Sequence, residues 1–318
     1  MKSLMHSEKV QDVIPQRILV IRLGALGDFV QSFGPFQAIR QAFPAAHITL
    51  LTTAPFVELA RLSPWFDEVL TDTRPRWTDV PQILALRKML RGYDRVYDLQ
   101  TSARTARYFV LAGRPVSWCG HVGEGHLAHI NPWRDEMHTR ARQRDQLRMA
   151  GIKEVPQPDV SWLRDKGPKL DEPYVLIVPG AAVHRPAKRW PARRYGELAA
   201  EISRRGLRPV LVGHETEQPL AQDILKYCPE ALNLMGKTTL PELAGLAARA
   251  QCAVGNDTGP MHLAAVMDCR CVVLFSADSN PALTAPLGWQ AGQVRVLRVR
   301  DLALLCVQRV AAALWWRH

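Results

Sequence analysis

A polar loop in the second half of the chain carries the residue types of a phosphate-binding site. The run Gly-Asn-Asp-Thr-Gly-Pro-Met-His at 255–262 follows an apolar segment and has a proline where a helix can begin. Such a helix directs free backbone N–H groups at an anion, while the Thr258 hydroxyl adds a donor and Gly259 admits a phosphate to the backbone. Asp257 and His262 flank the turn. We therefore expect a diphosphate site; residues that only cap the helix or fill the core are the alternative.

Two further loops of the same half follow apolar runs. The loop at 179–191 contains Lys188 and Arg189, whose charges can neutralise phosphate, although charged loops are often only solvated. Glu217 follows the apolar run at 209–212. A carboxylate there can accept hydrogen bonds from ribose hydroxyls, and ordinary surface placement explains it equally well. These loops indicate an anionic ligand for the second half.

In the first half, the run Gly-Ala-Leu-Gly-Asp at 24–28 lies where an apolar strand turns into a helix. Its G-x-x-G spacing is not the dinucleotide fingerprint G-x-G-x-x-G, and glycine often serves only to turn the chain. Asp28 either complements the dipole of the helix or is a functional carboxylate at a strand end. The residues alone leave both interpretations open.

The elements that must position these loops alternate between strand and helix, which predicts an α/β fold with parallel sheets covered on both faces. A proline-containing stretch without periodicity, 154–173, predicts a linker. Two Rossmann-like halves would then face each other across a cleft that holds the ligand. The predicted strands are 17–23, 47–52, 68–70, 95–99, 174–178, 209–212, 253–255 and 272–275; the predicted helices are 29–42 or 35–42, 56–62, 80–90, 192–205, 220–227, 240–250, 261–267 and 302–314.

These patterns divide the chain into four parts. They are a flexible N-terminal extension at 1–16, two Rossmann-like domains at 17–160 and 161–300, and a C-terminal helix at 301–318. The first 16 residues lack the apolar core of a signal peptide, and no stretch approaches the roughly 20 apolar residues of a membrane helix. The six cysteines lack C-x-x-C spacing, which favours reduced thiols. We expect a cytoplasmic protein.

The formal net charge of +11 over 318 residues predicts an anionic partner. Phosphorylated ligands, an acidic membrane surface and nucleic acid all qualify. No basic helix, zinc finger or RNP-like aromatic motif accompanies the charge, so we expect no nucleic acid. Contact with a membrane would be peripheral.

Four segments together resemble glycosyltransferase family 9, the ADP-heptose:lipopolysaccharide heptosyltransferases. They are Val-Gly-Asn-Asp-Thr-Gly-Pro-Met-His-Leu-Ala-Ala at 254–265, Leu-Met-Gly-Lys-Thr-Thr-Leu at 234–240, Lys-Arg-Trp-Pro at 188–191, and Gly-Asp at 27–28 with Pro35 seven residues later. The resemblance extends from 17 to about 288. It implies a GT-B architecture in which the first domain receives the acceptor, the second binds the nucleotide-sugar, and the last helix packs back on the first domain.

The resemblance also implies an inverting displacement at the anomeric carbon. Asp28 would take the proton from the attacking acceptor hydroxyl, and ADP would leave. Lys188 and the backbone N–H groups around Thr258 and Gly259 would stabilise the charge that develops on ADP.

The same resemblance assigns further donor contacts. Asp257 would orient the sugar or phosphates, Glu217 would reach the adenosine ribose, the backbone near Thr238 would meet the adenine, and His262 would contact the ligand. The segment 98–104 resembles one that lines the acceptor cleft. Arg104 could pair there with an acidic group of an inner-core saccharide, and a surface arginine is the alternative.

The implied partners are ADP-heptose, a phosphorylated lipid-linked oligosaccharide acceptor and the anionic inner face of a membrane. No D-x-D motif occurs in the chain, so we expect neither a metal nor a cofactor. Two positions depart from the family pattern: Val183 and His184 replace the usual serine or threonine, and Ser-Ala-Asp at 276–278 replaces Gly-x-Thr. Another nucleotide-sugar and acceptor, or a protein that binds nucleotide-sugar without transferring it, are the alternative functions.

Overall fold

The computed structural model contains two parallel β-sheets, one from each half of the chain. It describes residues 14–115, 117–122, 127–182 and 184–316. Residues 1–13 of the predicted N-terminal extension, and Val183, lie outside the described residues. The predicted α/β fold with two Rossmann-like domains is confirmed.

The first sheet has the strand order β3-β2-β1-β4-β5, and all of its pairings are parallel. Where one helix was predicted, starting at 29 or 35 and ending at 42, the structure has two helices, α1 and α2, separated by Ser32. The strands are β1 (Arg17–Ile21), β2 (His47–Thr52), β3 (Glu68–Thr71), β4 (Arg95–Asp98) and β5 (Trp118–Cys119); the helices are α1 (Leu26–Gln31), α2 (Phe33–Ala42), α3 (Val57–Leu62), α4 (Val80–Met89), α5 (Ala103–Ala112) and α6 (Thr139–Met149).

Alternate residues of β1 explain how this sheet is covered. Ile18 and Val20 face the core that contains the aromatic side chains of α1 and α2. Leu19 and Ile21 face the opposite core, which contains side chains from α4 and α5. All four are fully buried, as expected for a central parallel strand whose residues are apolar on both faces. Helices therefore cover both sides of the first sheet, with α4 and α5 on the side opposite α1.

The second sheet has the strand order β11-β10-β9-β6-β7-β8, again wholly parallel. Short 3₁₀ turns at Ser161–Leu163, Pro186–Lys188, Glu215–Glu217 and Leu302–Leu304 join some of its elements. The strands are β6 (Tyr174–Val178), β7 (Arg208–Leu211), β8 (Leu232–Asn233), β9 (Cys252–Asn256), β10 (Cys271–Phe275) and β11 (Val294–Arg298); the helices are α7 (Ala192–Arg204), α8 (Gln218–Leu225), α9 (Leu240–Arg249), α10 (Gly259–Val266), α11 (Pro281–Thr284) and α12 (Val307–Ala313).

Each sheet has one point where the strand order reverses. In the first sheet the reversal lies between β1 and β4, and in the second between β6 and β9. Ligands of such sheets bind beyond the carboxyl ends of the strands at this reversal, where the loops diverge and leave a crevice. The loops that follow β1, β6 and β9 are those in which the sequence predicts the site.

The prediction that the C-terminal helix packs back on the first domain is wrong. Leu302, Leu305, Val310 and Leu314 are buried in the core formed by β6, β9, β10 and α7 of the second domain. The indole Nε1–H of Trp190 donates to the Leu305 carbonyl oxygen at 2.9 Å, which ties this segment to the loop before α7. The apolar side chains complete the nearer domain core.

Within the described residues, no helix combines the length and apolar character needed to cross a membrane.

The segment that joins the domains is packed on both of them. Trp162 lies with its ring centroid 6.5 Å from that of Phe33 and 5.7 Å from that of Trp65, both in the first domain. Gly245 of α9 packs so closely on the Lys166 carbonyl that an added Cβ would overlap it. The stretch predicted as a linker is therefore a fixed bridge.

We predict that Leu305→Ala lowers the free energy of unfolding by about 2–5 kcal/mol, because it opens a cavity in the core of the second domain. The neighbouring Leu304→Ala is the matched control and should change it by less than about 0.5 kcal/mol, because Leu304 is 76% exposed. Urea unfolding measures both. In Leu305→Ala, amide hydrogen exchange should accelerate in β6 and α7. Equal effects of the two variants on the free energy of unfolding would contradict this packing.

Candidate functional site

A cavity of about 560 Å³ lies between the two domains, and residues from both line it. It opens where the loops after β1, β6 and β9 meet. A pocket between domains that converges on a few polar groups is the usual form of a ligand site. Six of the nine predicted site residues line it together: Asp28, Lys188, Asp257, Thr258, Gly259 and His262.

The domains touch at this cavity through the first turns of α1 and α10. A Cβ added to Gly27 would lie 2.8 Å from the Cδ2 atom of His262. A Cβ added to Gly259 would lie 2.6 Å from the Cβ of Leu26. Only glycine at both positions allows this close approach. The contact brings Asp28, the neighbour of Gly27, next to the start of α10.

Asp28 is held by a buried arginine that the sequence analysis did not select. The Arg22 Nη2 atom lies 3.4 Å from the Asp28 Oδ1 atom, and the Arg22 Nε–H donates to the Asp28 carbonyl oxygen at 3.2 Å. Burial lowers the pKa of the Arg22 guanidinium, and the Asp28 carboxylate opposes that shift. The Arg22 side chain is 4% exposed and that of Asp28 is 43% exposed. The carboxylate is therefore both oriented and accessible from the cavity.

Across the cavity, Lys188 and Asp257 form an ion pair. The Lys188 Nζ atom lies 2.6 Å from the Asp257 Oδ2 atom, and the two side chains are 13% and 7% exposed. Such charge-assisted hydrogen bonds are strong because little water competes for them. The pair fixes the ammonium group at the start of α10.

The start of α10 offers unused donors. Thr258 occupies the N-cap position, but its side chain makes no capping hydrogen bond. Within the part of the chain that the structure describes, the backbone N–H groups of Thr258 and Gly259 donate to no protein acceptor. These two N–H groups and the positive end of the helix dipole can therefore bind an anion beside Lys188.

His262 lies one turn into α10, between the two domains. It is 7% exposed, and its Nδ1 atom has no hydrogen-bond partner among the described residues. Burial lowers its pKa to about 4, although Asp257 and Asp28 act in the opposite direction. The imidazole is therefore neutral at pH 7, and its packing on Gly27 adds no charge to the cavity.

Asn256 holds the loops of the second domain together, and the sequence analysis did not assign it a role. Its amide nitrogen donates to the carbonyl oxygens of Pro179 at 2.7 Å and Gly180 at 3.3 Å. Its amide oxygen accepts hydrogen bonds from the Trp190 backbone N–H and the Tyr195 hydroxyl, both at 3.0 Å. Asn256 is fully buried. One side chain thus sets the positions of the loops on either side of Lys188.

Glu217 and Thr238 lie outside this cavity but along the same edge of the second sheet. The Glu217 carboxylate lies over Gly180 and Gly213, where an added Cβ would overlap it, and accepts the His214 backbone N–H at 2.9 Å. The loop that contains Thr238 joins this region through a hydrogen bond of 2.9 Å from the Gly236 N–H to the Gly213 carbonyl. An elongated ligand that leaves the cavity along this edge would reach both.

Arg104 is not among the residues that line the cavity. It projects from α5, where its guanidinium lies 5.3 Å from the centroid of the Trp77 ring and 3.3 Å from the Tyr108 hydroxyl. His184 and Asp278, which depart from the family pattern, do line the cavity. Within the described ranges, no three His, Cys, Asp or Glu side chains converge in a way that could hold a metal ion.

Comparisons with known proteins show which family the chain resembles. A sequence model of glycosyltransferase family 9 (heptosyltransferase) matches residues 83–305. Lipopolysaccharide heptosyltransferase 2 of Escherichia coli strain K12 is 28% identical over 315 residues, which cover 88% of each chain. The protein of the same name from Salmonella typhimurium is 28% identical over 313 residues, again 88% of each chain.

Solved structures extend the similarity to the fold. The structure of the E. coli ADP-heptose lipopolysaccharide heptosyltransferase II superposes with a TM-score of 0.73 at 25% identity, over 93% of this chain and 97% of that one. The structure of the E. coli heptosyltransferase WaaC with ADP gives a TM-score of 0.75 at 20% identity, over 93% and 98%. The arrangement of the two domains is therefore shared with these proteins.

We predict that His262 titrates near pH 4. Because an unfolded histidine titrates near pH 6.5, protonation favours the unfolded chain as the pH falls from 6.5 toward 4. The stability linked to His262, about 3 kcal/mol at most, is complete above pH 6.5 and is lost in that window. Proton NMR of the imidazole and urea unfolding measure the two effects.

The variant His262→Gln identifies the resonance and should flatten the fall in stability between pH 6.5 and pH 4. His214→Gln, at an exposed position of the second domain, serves as the control and should keep the wild-type slope. A His262 midpoint at or above pH 6.5 would show that the ring is not buried as described.

Proposed function

The chain belongs to glycosyltransferase family 9, the heptosyltransferases, and on that premise we propose that it transfers heptose from ADP-heptose to the inner core of lipopolysaccharide. It is a glycosyltransferase with a GT-B fold. The names of its relatives support lipopolysaccharide as the acceptor class and ADP-heptose as the donor. The observation that carries the proposal is the contact of α1 with α10, which brings an accessible carboxylate to the edge of an anion-binding helix start.

The ADP diphosphate would bind at the start of α10. Its oxygens would accept hydrogen bonds from the Lys188 ammonium and from the backbone N–H groups of Thr258 and Gly259, and these two N–H groups donate to no other backbone group among the described residues. Asp257 already holds the Lys188 ammonium 2.6 Å away, so the cation needs no reorganisation when ADP leaves. Glu217 would accept hydrogen bonds from the ribose hydroxyls, and the backbone near Thr238 would meet the adenine.

Asp28 would act as the general base. Its carboxylate would take the proton of the acceptor hydroxyl while that oxygen attacks the anomeric carbon and the bond from the sugar to ADP breaks. Attack on the face of the anomeric carbon opposite the departing ADP would invert the anomeric configuration. Arg22, 3.4 Å from the carboxylate, would orient it for this step. His262, whose pKa is lowered to about 4, would stay neutral during transfer.

The first domain would receive the acceptor, a phosphorylated lipid-linked oligosaccharide. Arg104 would meet an acidic group of that saccharide outside the cavity. We place the enzyme in the cytoplasm, in peripheral contact with the anionic inner face of the membrane. The transfer would need no metal, because Lys188 and the helix start supply the positive charge that the leaving ADP requires.

We predict that Asp28→Asn lowers the rate of transfer by about 10²–10⁴-fold, because the variant loses the base but keeps the size of the side chain. The assay follows transfer from ADP-heptose to heptose-deficient lipopolysaccharide by mass spectrometry, with EDTA present. Asp165→Asn, at an exposed aspartate, should retain the wild-type rate. NMR of the product should show an inverted anomeric linkage.

Two outcomes would contradict this part of the proposal. Unchanged turnover in Asp28→Asn, under conditions in which chemistry limits the rate, would exclude the base. Transfer from UDP- or GDP-linked sugars in preference to ADP-heptose would point to another donor, for which His184 and Asp278 in the cavity are the first residues to examine.

We predict separately that Lys188→Gln raises the dissociation constant for ADP by about 10–100-fold, because a hydrogen bond to a charged group typically contributes that much to binding. Isothermal titration calorimetry measures it on protein that circular dichroism shows to be folded. Lys169→Gln, at an exposed lysine, is the control and should leave ADP binding unchanged. Wild-type affinity in Lys188→Gln would remove the lysine from the diphosphate site.

A further inference from the structure

The outward side of α4 combines exposed aliphatic side chains with cations. Val80 and Leu84 are 61% and 56% exposed, far more than is usual for such residues. The next turn of the helix continues this stripe with Arg87 and Lys88, and Arg91 follows just beyond the helix. All three are exposed. The opposite side of α4 packs through Leu86 into the core of the first sheet.

The neighbouring helix α5 repeats this arrangement. Its outward stripe carries Arg107 and Val110, which is 55% exposed, and is continued by Arg114 just after the helix. Trp77, 37% exposed and placed just before α4, joins the two stripes. The Arg107 guanidinium lies 5.0 Å from the centroid of the Trp77 ring. We call the side chains of Trp77, Val80, Leu84, Arg87, Arg107 and Val110 the α4–α5 face.

The charge of the chain is concentrated here. The segments 74–91 and 103–114 contain eight lysines and arginines and a single acidic residue, so they carry +7 of the formal net charge of +11. That acid, Asp79, is occupied in capping α4, where it accepts the Gln82 backbone N–H. The α4–α5 face therefore has no free acidic group to pair with a basic partner.

We propose that the α4–α5 face docks on the surface of an anionic lipid bilayer. Single aliphatic side chains and a tryptophan, spaced among arginines and lysines on a convex helical surface, match the boundary between lipid headgroups and acyl chains. A protein partner would require a larger contiguous apolar patch on this face or, if that partner were basic, acidic side chains on the face. The proposal rests on the proposed function in one respect: it takes the acceptor to be lipid-linked.

The position of the face fits presentation of such an acceptor. α4 and α5 cover the side of the first sheet opposite α1, so docking leaves the cavity between the domains free. Arg74, in the same basic segment, donates from Nη2 to the Leu23 carbonyl oxygen at 2.8 Å. Leu23 begins the loop that leads to Asp28. The segment that leads into the α4–α5 face therefore contacts the loop that carries the base, so a membrane bound at this face would lie on the same domain as Asp28.

Vesicle flotation of the full chain tests this proposal. The vesicles contain phosphatidylethanolamine with phosphatidylglycerol, or phosphatidylcholine alone. We expect binding to the anionic vesicles only, and weaker binding as salt rises. Arg87→Gln with Lys88→Gln and Arg107→Gln should weaken binding by about 100-fold, since each cation near an anionic surface contributes about fivefold. Leu84→Gln with Val110→Gln should weaken it by about tenfold, from the lost burial of apolar area.

The second domain supplies matched controls. Arg298, Arg300 and Arg309 are exposed cations there, and Leu304 is 76% exposed. The triple variant Arg298→Gln with Arg300→Gln and Arg309→Gln should leave vesicle binding at the wild-type level. The single variant Leu304→Gln should do the same. Equal losses in the control and face variants, or no binding of the wild type to anionic vesicles, would overturn the proposal.

A transfer assay separates this proposal from the proposed function. The face variants should lose transfer to acceptor embedded in anionic vesicles but keep the wild-type rate on the same acceptor with its acyl chains removed. Loss on both acceptors would mean that the face binds saccharide or supports folding, which would overturn membrane docking. Absence of wild-type transfer to either acceptor, with vesicle binding as expected, would refute the proposed function and leave the docking surface standing.

Discussion

The contact between α1 and α10 is the constraint on which the cavity depends. Two helices from different domains meet with Gly27 against His262 and Gly259 against Leu26, at distances that exclude any side chain on either glycine. Because each helix begins at a carboxyl end of a central strand, the contact joins the strand-reversal points of both sheets. The Asp28 carboxylate and the start of α10 become neighbours as a result.

Buried polar groups hold this arrangement in place. Arg22 links Asp28 to the carbonyl oxygen of Leu99 at the end of β4, and Asn256 links the loops after β6 and β9. Lys188 is paired with Asp257, so the cation is in position before a ligand arrives. Groups fixed in advance need little reorganisation in a transition state, which is the main source of electrostatic catalysis. In the proposed transfer, these groups would meet the negative charge that develops on the departing ADP.

The sequence was sufficient for the central strands and for most of the cavity, because buried apolar runs and the residues that follow them are local signals. Helix α6 was not predicted, since it is packed by glutamines instead of an apolar stripe: Gln143 donates to the Ser32 hydroxyl at 2.7 Å and Gln146 to the Asp98 carbonyl at 2.8 Å. Helix α5 and the short or edge strands β5, β8 and β11 were also missed. Arg22 was predicted only as part of a strand, and Asn256 only as part of the polar loop, because their roles depend on partners far away in the chain.

The most direct test of the shared cavity is a crystal structure of the protein with ADP linked to a fluorinated, unreactive heptose. We expect the diphosphate oxygens within hydrogen-bond distance of the Lys188 ammonium and of the Thr258 and Gly259 backbone N–H groups. The anomeric carbon should then face Asp28 across the contact of α1 with α10. A diphosphate bound away from α10, or a sugar whose anomeric carbon faces away from Asp28, would contradict the proposed transfer.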